Sequence, residues 1–333
     1  MNKKIKNTLA VFSIMSCFTA TSLYGAPAND PSNTQYAVPP AKNPYGEDSL
    51  NFYLGVYYTY WVPYQENTDV AMNLGSATVQ GGVITPVITG QSGFKLSAGA
   101  NTTYDGWMVR MNYAWFYNKP SLSQAPVVGS DYFSHFPIMP GTYYDSFKTQ
   151  FQNQFNRIDA QLDRQFYAGN YIALRPWLGL LIAWDEEYLH VYQTTTPPTP
   201  QIQEISEHQL WCGVGPYAGA EGSFYFTDEF CGFISSGVGM LLSNHQMTAG
   251  AFNVASNLTR TSVLSNMFEE FNDMEPMLEA SLGIRWDGAW PNWGLCVDLS
   301  WETQTYFNHA RLSQVGTGNY SMQGLTLGAR VSF

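Results

Sequence analysis

Charge is scarce in this sequence: only 12% of its 333 residues are Asp, Glu, Lys or Arg. Cations are the rarer sign, 15 against 26 carboxylates, for a formal charge of −11. Such a chain lacks the basic surface that nucleic acid or an anionic lipid headgroup requires, and neither is expected as a partner. Cysteine is also scarce. Cys17, Cys212, Cys231 and Cys296 are the whole set. No run of eighteen apolar residues occurs, which excludes a transmembrane helix. There is no HExxH, no paired-cysteine frame and no glycine-rich phosphate loop. The five histidines (His135, His190, His208, His245 and His309) are scattered. No catalytic residue, metal ligand or cofactor is expected on these grounds.

What is present begins with an export signal. Lys3, Lys4 and Lys6 form a positive start, Leu9 to Thr21 a short apolar run, and Gly25 and Ala26 a small-residue cleavage point. Residues 1–25 therefore read as a signal peptide, too short to span a bilayer. Ile14-Met15-Ser16-Cys17 only faintly resembles a lipoprotein box. Without the three lysines, 12 basic residues face 26 acidic ones, a net charge of about −14. Residues 26–49 carry five prolines and few large apolar side chains, the make-up of an extended leader.

Residues 50–333 read differently. The last thirteen alternate Leu325, Leu327, Ala329, Val331 and Phe333 with Gly324, Thr326, Gly328, Arg330 and Ser332. Successive side chains of a strand point to opposite faces, so one face is apolar and the other small or charged. An apolar face at a chain's end suits lipid, with Phe333 in the inner aromatic girdle as a membrane-assembly signal. Ten such period-2 segments follow one another, near 51–63, 93–103, 106–117, 156–167, 170–185, 209–226, 230–242, 276–286, 293–305 and the C-terminus. Most approach the nine to eleven residues a tilted transmembrane strand needs. Short connections at 104–105, 168–169, 227–229 and 287–292 alternate with long ones at 63–92, 118–155, 186–208, 243–275 and 306–320. The fold class is all-β: a transmembrane antiparallel up-and-down β-barrel of about ten strands, with short periplasmic turns and long external loops. A hairpin within 72–89 would raise the number to twelve. Phe147, Phe151 and Phe155, four apart, suggest a helix in one long loop, and 257–271 suggests another.

Aromatic residues gather at strand ends as if in two interfacial belts: Tyr60, Trp61, Trp107, Trp115, Trp184, Trp286, Trp290, Trp293 and Trp301. After export three cysteines remain in an oxidising compartment, an odd number. Strand phase puts Cys212 on the lipid face and Cys231 and Cys296 on the lumen face. Free thiols are the default, with cross-linking to another copy, or a homo-oligomer, as alternatives.

The inward phase collects the charges. Lys95, Arg110, Arg157, Arg175, Arg285 and Arg330 face Asp159, Asp163, Asp185, Glu221, Glu279, Asp298 and Glu302. All thirteen are candidate pore-lining residues. On the lipid phase a mid-depth charge would cost about 2–4 kcal/mol. Arg164 breaks the pattern near a turn, where it can snorkel. A narrow barrel would close these groups into ion pairs, whereas a wider one would leave a water-filled path.

Several stretches carry a family resemblance. Asn51-Phe-Tyr-Leu-Gly-Val-Tyr-Tyr-Thr-Tyr-Trp-Val-Pro-Tyr-Gln-Glu66 resembles the first strand of the Legionella-type, major-outer-membrane-protein-like pore-forming family, also found in Chlamydia-related bacteria. Gly93-Phe-Lys, Tyr104-Asp-Gly-Trp107 and Tyr113-Ala-Trp-Phe116 resemble its next hairpin. Leu174-Arg-Pro-Trp-Leu-Gly-Leu180, Ala183-Trp184 and Gly213-Val-Gly-Pro216 resemble its middle. Gly283-Ile-Arg-Trp-Asp287 and Met322-Gln-Gly-Leu-Thr-Leu-Gly-Ala-Arg330 resemble its end. The resemblance implies an outer-membrane barrel, abundant at the surface and porin-like, and transfers no catalytic residue. A general diffusion porin is the expected function. The expected partners are outer-membrane lipid and the outer-membrane assembly machinery. A surface adhesin, or a rim hydrolase built on Asp185, Glu186, Glu187, His190 and His208, are the alternatives.

Overall fold

A computed structural model describes residues 51–66, 71–73, 82–84, 89–102, 106–124, 132–134, 144–168, 171–195, 201–255, 258–290, 292–310 and 318–333. The signal peptide and leader assigned to 1–25 and 26–49 lie outside these residues, as does His135. Ten long strands build the barrel: β1 (Asn51–Gln65), β2 (Gln91–Asn101), β3 (Trp107–Asn118), β4 (Tyr144–Arg164), β5 (Ile172–Thr195), β6 (Ile202–Tyr225), β7 (Phe230–Val254), β8 (Arg260–Trp290), β9 (Trp293–Ala310) and β10 (Gly318–Ser332). Each pairs antiparallel with its sequence neighbours. The ring closes where β10 pairs with β1, from Tyr53 opposite Ser332 to Gln65 opposite Tyr320. Phe52 and Phe333 exchange both backbone hydrogen bonds, at 3.0 and 2.9 Å, and complete the seam. Closure pairs every one of the ten strands on both sides along its membrane-crossing part, which a bilayer core demands, while the outer part of β8, before Met277, pairs with β7 alone.

The pattern that makes these strands also orients them. On β1, Phe52, Leu54, Val56, Tyr58 and Tyr60 are exposed on the outside, while Tyr53, Thr59 and Trp61 are buried inside. On β10, Leu325, Leu327, Val331 and Phe333 face out, and Met322 and Thr326 face in. Gly106, at φ +69°, turns the chain into β3. At the turn between β6 and β7, the Thr227 hydroxyl oxygen accepts from the backbone N–H groups of Glu229 and Phe230. Both ends of the barrel sequence, Asn51 and Phe333, lie on this short-turn side.

The other side departs from the sequence reading. Strands β4 to β8 have 21, 24, 24, 25 and 31 residues, at least twice the roughly ten needed to cross a bilayer. Most of the expected loops at 118–155, 186–208 and 243–275 are therefore strand. Once above the lipid the outward positions turn largely polar, as at Glu186, His208 and Asn244, so the lipid-facing period vanishes while the backbone ladder continues. The two expected helices are also strand. Phe147, Phe151 and Phe155 lie on β4 and all point inward. A spacing of four is even, so it suits a two-residue period as well as a helical turn. Residues 260–271 belong to β8. The pieces Ala71–Asn73 and Gly82–Ile84 pair with each other, and the former also pairs with Tyr132–Ser134. They stand outside the ring, which keeps ten strands. Trp61 leaves the proposed belt for the interior at 1% exposure, whereas Trp290, Trp293 and Trp301 stay outside at 38%, 40% and 49%.

Candidate functional site: the barrel lumen

The inward charges pair across strands far apart in sequence. Arg110 reaches Asp163 at 2.8 Å, and Arg175 stands 4.0 Å from Asp163 and 3.8 Å from Glu221. Arg285 bonds Glu221 at 2.8 Å and Asp298 at 2.6 Å. The result is a chain of alternating sign from β3 to β9, three cations and three anions. A second group lies nearby. Arg157 contacts Glu279 at 2.5 Å and Asp159 at 3.3 Å, and Lys95 reaches Glu302 at 2.7 Å. Tyr217 donates its hydroxyl to Glu279. Arg330 lies over the Tyr53 ring, 5.2 Å from its centre. Asp185, the last of the thirteen, pairs with His309 higher in the barrel. Every inward-assigned charge is thus inside, with an opposite charge or, for Arg330, an aromatic ring beside it to offset part of the cost of burial.

Between these groups lies a cavity of about 170 Å³, lined among others by Lys95, Arg110, Arg157, Glu221, Glu279 and Arg285. A second, of about 220 Å³, opens at the short-turn end beside Asn51, Arg175 and Asp287. Toward the outside, an aromatic layer crosses the lumen. Trp61, Phe116, Phe155, Trp211, Tyr306 and Tyr320 are each 2% exposed or less. Their rings meet at 5.5 to 6.1 Å: Phe155 with Tyr306 and Tyr320, Trp211 with Tyr306, and Trp61 with Phe116.

Just outward of this layer sits a cluster of two histidines and three carboxylates. It lies beyond Ile182, Leu210 and Leu242, after which outward positions turn polar with Glu186, His208 and Asn244. His309 Nε2 is 2.8 Å from Asp185 Oδ2, and His309 Nδ1 is 3.4 Å from Glu275 Oε2. His245 Nε2 pairs with Glu275 Oε1. Asn153 and Gln65 donate side-chain N–H groups to Glu187 at 2.7 and 3.1 Å. Burial, and then the charge of Asp185, pushes the Glu187 carboxyl up to about 8. Burial alone would lower His309, but Asp185 and Glu275 outweigh it and hold the imidazole at about 10.

Of the rim residues Asp185, Glu186, Glu187, His190 and His208, the structure turns only Asp185 and Glu187 inward. His190 and His208 lie on the outward phase, where they meet Glu204 and Glu186 at 3.2 and 3.1 Å. His309 comes inward through a bulge. Between Tyr306 and Ala310 the ladder to β10 shifts register, and Asn308 takes φ +60°. Parity counted from Tyr306 would send residue 309 outward, so no periodic signal could reveal it. Cys212 faces out, Cys231 and Cys296 face in, and all three are free.

The sequence matches, over residues 45–333, the family described as Legionella pneumophila major outer membrane protein precursor. The chain belongs to this family. Membership and the closed lipid-facing ring make it an outer-membrane barrel protein. No curated protein matches the chain. Solved structures similar in outline include the outer membrane protease OmpT from Escherichia coli, at 11% identity and TM-score 0.40, covering 86% of this chain and 98% of that one. A major outer membrane protein from Thermus thermophilus aligns at 11% identity and TM-score 0.32, covering 86% of this chain and 100% of that one. A Pseudomonas aeruginosa FadL homologue aligns at 8% identity and TM-score 0.27, covering 86% and 90%. Likeness at these scores says nothing about this chain's activity.

Proposed function

We propose that this outer-membrane barrel is a narrow, passive channel for ions and small solutes. Its route follows the charge-lined cavity and meets a constriction at the aromatic layer. The 170 Å³ cavity carries this reading: it is polar, has room for several waters, and lies in the membrane-crossing part. Ten strands fall between eight-strand barrels, which side chains fill, and sixteen-strand porins, which hold an open channel. The general diffusion pore expected from the sequence becomes, in this reading, a constricted one. Near balance of lumen cations and anions implies weak ion selectivity. Export by a cleaved signal peptide over 1–25, and insertion by the assembly machinery through Phe333, belong to the same reading.

The test is planar-bilayer conductance of refolded mature protein, with a heat-denatured control. Small discrete steps are expected, enlarged when Trp211→Ala and Tyr306→Ala thin the aromatic layer. Arg110→Glu or Arg330→Glu should then move the reversal potential in a salt gradient. A folded, inserted barrel without steps, in wild type and thinned variant alike, overturns the channel. It would favour a surface-binding platform, for which the extension of β4 to β8 beyond the lipid is the supporting observation.

A further inference from the structure

The outer cluster holds a combination that ion pairing and packing leave incomplete. Asp185 and Glu187 point from β5 to the same spot as His309 on β9. One ligand atom from each lies within 4.8 Å of the others, and all three residues are buried. Asp185 is 2% exposed, and its Oδ1 has no hydrogen-bond partner. A buried carboxylate oxygen left bare, beside a second carboxylate, calls for a cation.

We propose that Asp185, Glu187 and His309 form a site for one divalent transition-metal ion, with Glu275 and His245 as outer partners that orient His309. Supports stand beside each ligand. His309 aims Nε2 at Asp185, and its Nδ1 stands 3.4 Å from Glu275 Oε2, not yet hydrogen-bonded but placed to close into the carboxylate–histidine–metal arrangement that fixes a ligand ring and its tautomer. Glu275 is held in turn by His245. Gln65 and Asn153 anchor Glu187 through one N–H each, so a lone pair on each oxygen stays free for a metal.

The donor set selects the ion class. One imidazole and two carboxylates suit Zn²⁺, Mn²⁺, Fe²⁺ or Co²⁺, and the absence of thiolate or thioether argues against Cu(I). Metal bonds of about 2.0–2.2 Å would draw the three ligand atoms to roughly 3.4 Å from one another. From the present spread that is a shift of about 1 Å, within reach of side-chain torsions. On binding, the ion replaces the proton on His309 Nε2 and any proton on the Glu187 carboxyl, and both leave to solvent. Two carboxylates and a divalent ion then balance in charge. The ion would also tie β5 to β9, four places apart in a ring of ten, at the outward end of the lumen.

The experiment uses the full mature barrel, refolded in detergent and freed of metal with a chelator. Zn²⁺ is offered both to the folded protein and during refolding, so a sealed entrance cannot hide the site. One ion bound per chain, with a higher unfolding temperature, is expected. Co²⁺ should give a visible spectrum of nitrogen and oxygen ligands without a thiolate band. Asp185→Asn and His309→Gln should abolish stoichiometric binding. Glu275→Gln should weaken it by about 10- to 100-fold, as expected of an outer-shell partner. His190→Asn and His208→Asn, on the outward face, should bind as wild type. Folding of each variant is checked by heat-dependent migration on gels. No stoichiometric binding by wild type under either protocol would overturn the site. So would stoichiometric binding that survives both Asp185→Asn and His309→Gln. Neither outcome depends on whether the barrel conducts.

Discussion

Replacing Arg285 with Met asks directly whether its ion pairs, in the wall of the lumen, are shielded from the water of the cavity they border. The Arg285 guanidinium donates from Nε to Asp298 at 2.6 Å, and from Nη1 and Nη2 to Glu221 at 2.8 and 3.3 Å. Arginine and both carboxylates are under 10% exposed. Methionine keeps much of the volume and removes the charge, which leaves two buried anions short of a partner. Breaking a buried pair in this way costs about 3–5 kcal/mol. Glu221 keeps Arg175 at 3.8 Å, which places the expected loss near the lower end, about 3 kcal/mol. An ion pair in bulk-like water is worth only about 0–1 kcal/mol. Pairs shielded in the wall and pairs bathed in water thus predict values that do not overlap. The assay is reversible urea unfolding in lipid vesicles, followed by tryptophan fluorescence. Adding Glu221→Gln and Asp298→Asn to Arg285→Met removes the stranded anions and should recover part of the loss. A single variant within about 1 kcal/mol of wild type would refute the reasoning and show that water screens these groups.

Other expectations follow from the ring and its extension. Deleting Phe333 removes both backbone bonds to Phe52 and an exposed aromatic at the seam. Surface levels should drop, and wild-type levels would contradict that role. Leu282→Arg puts a charge at a lipid-facing position that is 64% exposed. It should cost about 2–4 kcal/mol in vesicles if Leu282 lies at mid-depth, whereas Ser281→Arg on the other phase should not follow that depth rule. Above the membrane, Arg260 bonds Glu204 through Nε and Nη2, both at 2.8 Å. The Arg260 hydrogen bonds hold the Glu204 carboxyl below its usual value of 4.5, with His190 contributing less. A carboxylate lowered by folding stabilises the folded form above its unfolded value and loses that contribution as pH falls through the folded one. Protease nicking at the outer ends of β6 to β8 should therefore rise below about pH 4.5. Glu204→Gln should flatten that rise, and an identical pH profile in the variant would reject the link.

Much of the barrel was legible because lipid imposes a rule that each strand must satisfy locally. Leu54, Leu327 and Ile234 face lipid because apolar side chains must, and period-2 alternation then sends Gly55, Gly328 and Ser235 inward. That rule gave the short-turn ends of the strands, the even number and the inward face of the thirteen charges. It stops where the lipid stops. Gln193, Gln203 and Glu207 are buried on a wall whose other face is also polar, so the continuation of β5 and β6 left no periodic trace. Partners were beyond reach as well. Lys95 and Glu302 are 207 residues apart in the chain, and only closure of the ring brings them to 2.7 Å. The same closure turns Trp61 from an interface candidate into part of a layer across the lumen, together with Tyr320. The bulge at Asn308 turns His309 from a loop histidine into the partner of Asp185. Facing is a local property, fixed residue by residue by solvent preference. Pairing, occlusion and ligand geometry are properties of the closed ring, which no single strand encodes.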